Sequence, residues 1–378
     1  MDKLRKGWEV KTVGELFDIQ LGKMLNKTAT ELSPQFSYLG NSNVRWGSFE
    51  LDNLKTMHFT EKEISKFELK FGDILMCEGG EVGRCAIWRD ELDNVYYQKA
   101  LHRLRSKGKI IPEYFYNYMM YISGTKLLED QTSKTSIAHL TREKLIALKI
   151  NLPPLPEQIK IAEILSTWDN AIQTTEKQLA NSQQQKKALM QMLLSGEKRV
   201  GGFSGEWNTA KLAELATISK GTQRNKDTLS DTGLYPVING GIEPSGYTDQ
   251  SNSSKNTITI SEGGNSCGYI AFQKQDFWCG GHCYALENVQ IDNLFLYQLL
   301  KANEESIMRL RVGSGLPNIQ KKALEGFSLH YPNDMIEQQK IAEILTTADQ
   351  EIETLQKKLE CLKLEKKALM QGLLNHKK

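Results

Sequence analysis

A chain of 378 residues, 39% hydrophobic and 25% charged, is long enough for more than one ordinary domain, and a net charge of +2 excludes an indiscriminate, histone-like polyanion binder. No run of about 18 apolar residues offers a membrane span and the opening MDKLRKGWEV lacks an apolar signal-peptide core, so the protein is expected in the cytoplasm, away from membranes. Six cysteines without a small-scaffold spacing read as reduced thiols, most of them buried.

The chain reads as two copies of one plan. WEVKTVGELFDIQLGK (residues 8–23) is echoed by WNTAKLAELATISKGT (residues 207–222), with Trp8 and Trp207, Leu16 and Leu215, Ile19 and Ile218, and Gly22 and Gly221 in register. Short strands separated by Gly, Asn and Ser turns follow in each copy: TMHFT, DILMC, CAIW and ALHRLR in the first, and TITIS, YIAF and CYALE in the second. The next expected elements are an aromatic helical stretch (residues 112–128 and 293–310), a polar loop (TSKTSIAHL and RVGSGLPNI), a short amphipathic piece and an exposed strand (ALKINLP and GFSLHYP).

Prolines 153, 154 and 156, or Pro332 in the second copy, then hold the chain out of helix until a long rod begins. Residues 157–194 and 337–374 align without a gap and are identical at roughly 22 of about 38 positions, which marks an internal duplication. The first rod places Ile161, Leu165, Trp168, Ile172, Thr175, Leu179, Ser182, Lys186, Leu189 and Leu193 at alternating steps of four and three. The second places Ile341, Leu345, Ala348, Ile352, Leu355, Leu359, Leu362, Lys366, Leu369 and Leu373 in the same way. Such a seam requires a partner helix, and the other copy is the natural one. Each helix is a rod of roughly 55 to 60 Å. The glycine-rich link SGEKRVGGFSGEW lets the chain reverse and favours antiparallel pairing, although heptads alone also admit a parallel pair.

The expected fold class is α+β: two mixed globular domains (residues 1–152 and 200–332) joined by two long antiparallel coiled-coil helices (residues 153–199 and 333–378) in a pseudo-twofold repeat.

No catalytic residues are expected. Gly22-Lys23 and Gly108-Lys109 continue with Met24 and Ile110 rather than Ser or Thr, so no phosphate loop is present, and Asn151-Leu152-Pro153-Pro154-Leu155 lacks the spacing and aromatic residue of an amine-gripping methyltransferase motif. The Glu78-Gly79-Gly80 and Glu262-Gly263-Gly264 repeats read as strand-to-strand turns requiring positive φ. Cys267, Cys279, His282 and Cys283 nominally supply four zinc ligands, but the first copy has only Gln98, Leu101 and His102 in that region, so no metal site is expected.

What remains is binding. Lys23, Lys27, Arg45, Arg84, Lys99, Arg103 and Arg105 in the first domain, and Lys220, Arg224, Lys226, Lys255, Arg309 and Arg311 in the second, are candidates for phosphate and base contact. Two other classes compete with a DNA reader: a coiled-coil scaffold holding two protein-binding domains, and a nuclease whose acidic cluster is assembled from distant positions.

LPPLPEQIKIAEIL from Leu152, KKALMQMLLSGEKRV from Lys186 and IEQQKIAEIL from Ile336, supported by GLYPVINGGIEPSGY from Gly233 and GSGLPNIQKKAL from Gly313, carry a resemblance to the specificity subunit of type I restriction–modification enzymes. It spans essentially the whole chain. The resemblance implies that each globular domain reads one half of a bipartite double-stranded DNA target and that the paired helices set the spacer. It also implies docking of two methyltransferase subunits and, through them, restriction subunits. The subunit is then non-catalytic by itself, with no cofactor of its own; S-adenosylmethionine, ATP and Mg are expected on the partners. Two departures stand out: Ala348 replaces Trp168 in the second rod, and the first domain has no clear match to YPVINGG.

Overall fold

The structure is a computed structural model that describes residues 5–123, 125–129, 139–313, 315 and 317–375. Most of the first polar loop, TSKTSIAHL, and two residues of the second therefore lie outside the described residues. The chain forms two compact units, residues 1–175 with 358–378, and residues 176–357. Each takes one globular domain and half of each long helix.

In the first unit a four-stranded antiparallel sheet has the order Phe17–Leu21, Leu101–Ser106, Ile74–Cys77, Cys85–Ile87. All four residues of Ile74–Cys77 are buried because both sheet faces are covered, which is why DILMC reads as a continuous apolar run. Ile74 and Met76 enter a core with the helix Pro112–Ile122 and with Ile161, Leu165, Met370 and Leu374 of the long helices. Leu75 and Cys77 face the other way, onto Tyr38, Met57, Phe59, Trp88 and Tyr97 under a three-stranded sheet. That sheet runs Lys55–His58, Gln35–Leu39, Tyr96–Tyr97, its last pair parallel. Glu9–Thr12 pairs with Lys149–Leu152.

The second unit repeats every one of these pairings. Its four-stranded sheet runs Thr217–Lys220, Cys283–Glu287, Thr257–Ser261, Ile270–Gln273; Tyr247–Thr248, Tyr235–Ile238 and Trp278–Cys279 form the three-stranded sheet; and Trp207–Lys211 pairs with Ser328–Pro332. The YPVINGG strand thus has its counterpart in Gln35–Leu39, a topological match that side-chain identity concealed. The rod-facing core, with Ile258, Ile260, Phe295, Leu193, Ile341 and Leu345, is nearly as large as in the first unit. The opposite face is thinner, with Ile238, Phe277, Cys279, Cys283 and Ala285, and it leaves a cavity of about 220 Å³.

Some expected elements are shorter or divided. The aromatic stretches each break into two helices, Pro112–Ile122 and Lys126–Glu129 in the first unit, and Asn293–Ala302 and Glu304–Met308 in the second. The glycine turns take the positive φ their sequence requires at Gly80 and Gly264 (79° and 78°). Gly22 and Gly221 are matched for another reason: a Cβ at either would collide with a backbone carbonyl, that of Gln98 or of Gly280. Five of the six cysteines are buried, Cys361 is exposed, and none is disulfide-bonded.

Leu155–Leu194 and Met335–Leu374 are unbroken helices of 40 residues each. Their pairing is antiparallel in both units. Trp168 Nε1 donates to Glu365 at 3.3 Å and Lys366 Nζ to Asp169 at 2.5 Å in the first; Ser182 donates to Glu351 at 3.0 Å and Lys186 Nζ to Asp349 at 2.5 Å in the second. All the seam positions named from the heptads are buried or half-buried. The two lysines that interrupt the apolar seam each meet an aspartate at a repeated position: Lys366 meets Asp169 in the first unit, and Lys186 meets Asp349 in the second.

The duplicated Glu-Gln at the rod start has a defined task. Gln158 Oε1 accepts from Ile111 N while its Nε2 donates to Lys109 O and Pro153 O; Gln338 accepts from Asp292 N and donates to Pro332 O. Both glutamines are 1% exposed, so each fastens a helix start to its own globular domain with every amide group engaged. The adjacent Glu157 accepts from Trp8 Nε1, and Glu337 receives a bidentate Arg199 at 2.6 Å.

Candidate nucleic-acid interface

The candidate cations divide by how they are held. In the first unit Arg103 and Arg105 project from one face of strand Leu101–Ser106. Arg103 is 5% exposed and donates to Asp18 at 2.7 Å, while Arg105 grips the 1% exposed Asp73 bidentately at 2.8 and 2.6 Å. Asp73 holds the Arg105 guanidinium further above its usual range, and burial pushes the nearby Tyr97 hydroxyl up to about 12, against the pull of Arg103. These two arginines fasten the sheet together. Lys23 lies 2.6 Å from Glu63 and over the Phe59 ring, and Arg84 donates to the backbone and side-chain oxygens of Asn41 and to Glu81. That leaves Lys27, Lys99 and Arg45 exposed, Arg45 beside Glu50 at 2.8 Å.

The second unit is more open. Lys220, Lys226, Lys255, Arg309 and Arg311 are exposed, Lys220 at 2.6 Å from Glu262. Arg224 is half-buried, with its guanidinium carbon 4.3 Å from the Trp278 ring centroid. Glu262 also accepts from Tyr284 at 3.0 Å and sits 3.5 Å from His282 Nδ1, so the second glycine turn is braced by a polar cluster. Among the described residues no group of three or more His, Cys, Asp or Glu side chains is placed to hold a metal; Cys279 and Cys283 are buried and His282 points at Glu262. Among the described residues no helix is long and apolar enough to cross a membrane.

A second surface repeats in each unit and was not singled out from the sequence. Lys160, Glu163 and Thr167 are exposed in the first rod, and the identical Lys340, Glu343 and Thr347 are exposed in the second. The same holds for Lys187, Ala188 and Gln191 against Lys367, Ala368 and Gln371. Antiparallel pairing puts the start of one helix beside the end of the other within each unit, as the shared core of Ile161 and Leu165 with Met370 and Leu374 shows. None of these exposed identities serves the seam. The signal was available as residues repeated at positions that the heptad leaves outside.

A family model described as the type I restriction modification DNA specificity domain matches residues 5–182 and again 204–364. A putative type I specificity subunit of Mycoplasma pneumoniae is 35% identical over 160 residues, 42% of each chain, and one of Mycoplasma genitalium is 33% identical over 39% of each. The chain thus spans about two fifths of the length of these relatives, whereas its match to the type I restriction enzyme MjaVIII specificity subunit of Methanocaldococcus jannaschii, at 24% identity, spans 99% of this chain and 94% of that one. The crystal structure of the type I restriction–modification S subunit from M. genitalium shares the fold, with a TM-score of 0.74 and 21% identity over 99% of this chain and 98% of that one. With both halves matched to the same specificity domain, the chain belongs to the type I restriction–modification DNA specificity family.

Proposed function

We propose that this chain is the sequence-reading, non-catalytic subunit of a cytoplasmic type I restriction–modification complex, and that each globular domain contacts one half of a bipartite DNA site. The observation that carries the reading is a double one: two copies of a single domain whose rod-facing cores are alike and whose opposite faces differ, broad and aromatic in the first unit and thin in the second. Exposed Lys27, Arg45 and Lys99 in one domain, and Lys220, Lys226, Lys255, Arg309 and Arg311 in the other, supply phosphate contact. Arg103 and Arg105, committed to carboxylates within the sheet, are not part of the proposed contact set.

The paired helices are proposed to set the number of unread base pairs between the half-sites. The repeated exposed surface around Lys160, Glu163, Lys367 and Ala368, and its mate around Lys340, Glu343, Lys187 and Ala188, suits two identical partners, one per unit. We assign those partners as methyltransferase subunits, which bring S-adenosylmethionine and through which restriction subunits bring ATP and Mg.

The test is DNA binding by the chain in complex with its methyltransferase subunits. Expected is one bipartite sequence, with log affinity falling linearly against log salt. Converting Lys226 and Lys255 together to Ala should weaken binding about equally for all sequences and shrink that salt slope by about two. A complex that binds no DNA, or whose binding ignores salt, would favour a protein-binding scaffold instead.

A further inference from the structure

Arg224 is held differently from the ion-paired arginines of the first globular domain. Arg45, Arg84, Arg89, Arg103 and Arg105 each pair with a carboxylate. Among the described residues Arg224 forms no ion pair. Its plane is fixed by neutral groups alone: the Trp278 ring 4.3 Å away, the Thr248 hydroxyl accepting from Nη1, and Gln250 Oε1 accepting from Nη2 at 3.3 Å. Trp278 is itself anchored, its Nε1 donating 2.8 Å to Thr222 O on the same loop. Of the five guanidinium N–H groups two are used, which leaves three donors and a full charge on a pre-oriented fork.

A flexible lysine suffices for a phosphate; a planar fork held flat on an aromatic ring suits an acceptor pair in a fixed plane. The major-groove edge of guanine, with O6 and N7 side by side, presents that pair. The equivalent position in the first unit, three residues beyond the matched glycine, is Leu25, and it adjoins Met24; these are 41% and 56% exposed and carry no side-chain N–H. The two domains therefore offer different chemistry from the same loop.

We propose that Arg224 is a specificity-determining residue that reads one guanine in the half-site bound by residues 176–357, with Trp278 as its positioning residue. The inference rests on the DNA-reading function proposed above. The experiment uses the full chain with its methyltransferase subunits, and competes the preferred duplex against every single-base-pair variant for wild type, Arg224→Ala and Arg224→Lys. In wild type a guanine at one position of one half-site should be preferred by roughly tenfold to hundredfold. Arg224→Ala should bring that one preference close to parity and leave the other positions discriminated as before. Arg224→Lys, which keeps charge and length but loses the fork, should lose the same preference and keep the salt slope; it also serves if the alanine variant does not fold. A uniform loss across all sequences, with a salt slope smaller by about one, would make Arg224 a phosphate contact and overturn the proposal, as would preferences unchanged in both variants. A wild-type complex with no sequence preference at all overturns the DNA-reading function as well, and so is distinguishable from failure of this assignment alone.

Discussion

His102 and Tyr284 occupy equivalent places on the last strand, in chain order, of each four-stranded sheet and reach equivalent carbonyls: His102 Nε2 lies 3.1 Å from Leu140 O and Tyr284 donates to Ile319 O at 3.1 Å. The carbonyl fixes Nε2 of His102 as the donor, and Nδ1 is buried with no partner. A proton on Nδ1 would have no acceptor, and burial accordingly lowers the His102 pKa below its usual range, with the bond to Leu140 opposing. Below about pH 6.5 the unfolded chain binds a proton that the folded one refuses, so stability is complete above that pH and declines as pH falls beneath it. His102→Gln, which can still donate to Leu140, should flatten the loss of urea stability between pH 7.5 and 5.5; a slope equal to that of wild type would assign the acid sensitivity elsewhere. None of this was legible in the sequence, where the histidines looked scattered. The same limit applies to Arg103 and Arg105: strand register, not residue type, brings Asp18 and Asp73 to them.

At the scale of elements, the long helices were the most legible part of the chain, because heptad period is a local signal. Their ends at Leu194 and Leu374 are as expected, while each begins two residues earlier, at Leu155 and Met335, the first because Pro156 is tolerated in the first turn, where no backbone N–H is needed. Strands were legible where both neighbours bury them, as in Ile74–Cys77 and Thr257–Ser261. Glu9–Thr12 and Phe17–Leu21 were visible only as a repeat, since a one-turn helix separates them and their partners lie at residues 149–152 and 102–106. Antiparallel direction, left open by the heptads, is settled in the structure by the lysine–aspartate pairs. Lys366 is 8% exposed on its side chain and Asp169 41%, so losing one partner should cost about 1–3 kcal/mol, less than a fully buried pair. Lys366→Leu alone should therefore lower chemical stability, and Lys366→Leu with Asp169→Ala should recover most of the loss. Equal destabilisation by single and double variants would show that the lysine acts through packing alone.

For the molecule as a whole, the duplication was readable from the repeated strings, and so were single differences such as Ala348 for Trp168, while the thinner opposite face of the second unit was not. On the function proposed here, helix length is the variable that separates half-sites. Seven residues added in register to both long helices lengthen the rod by about 10 Å, or about three base pairs at roughly 3.4 Å each. Methylation mapping in cells should then find the same half-sites with the unread gap longer by about three, and an unaltered gap would remove the helices from that role.

The four-stranded sheet of each unit has two covered faces that differ in how well the copies match. One, packed on the rod, keeps Ile74 and Met76 matched by Ile258 and Ile260; the other is lined by aromatic side chains in the first unit and by Thr259, Ser261, Cys283 and Ala285 in the second. Side chains alternate across a strand, so mutation can drift on one face without disturbing the other. A lineage built this way can inherit its frame while its outward surface wanders.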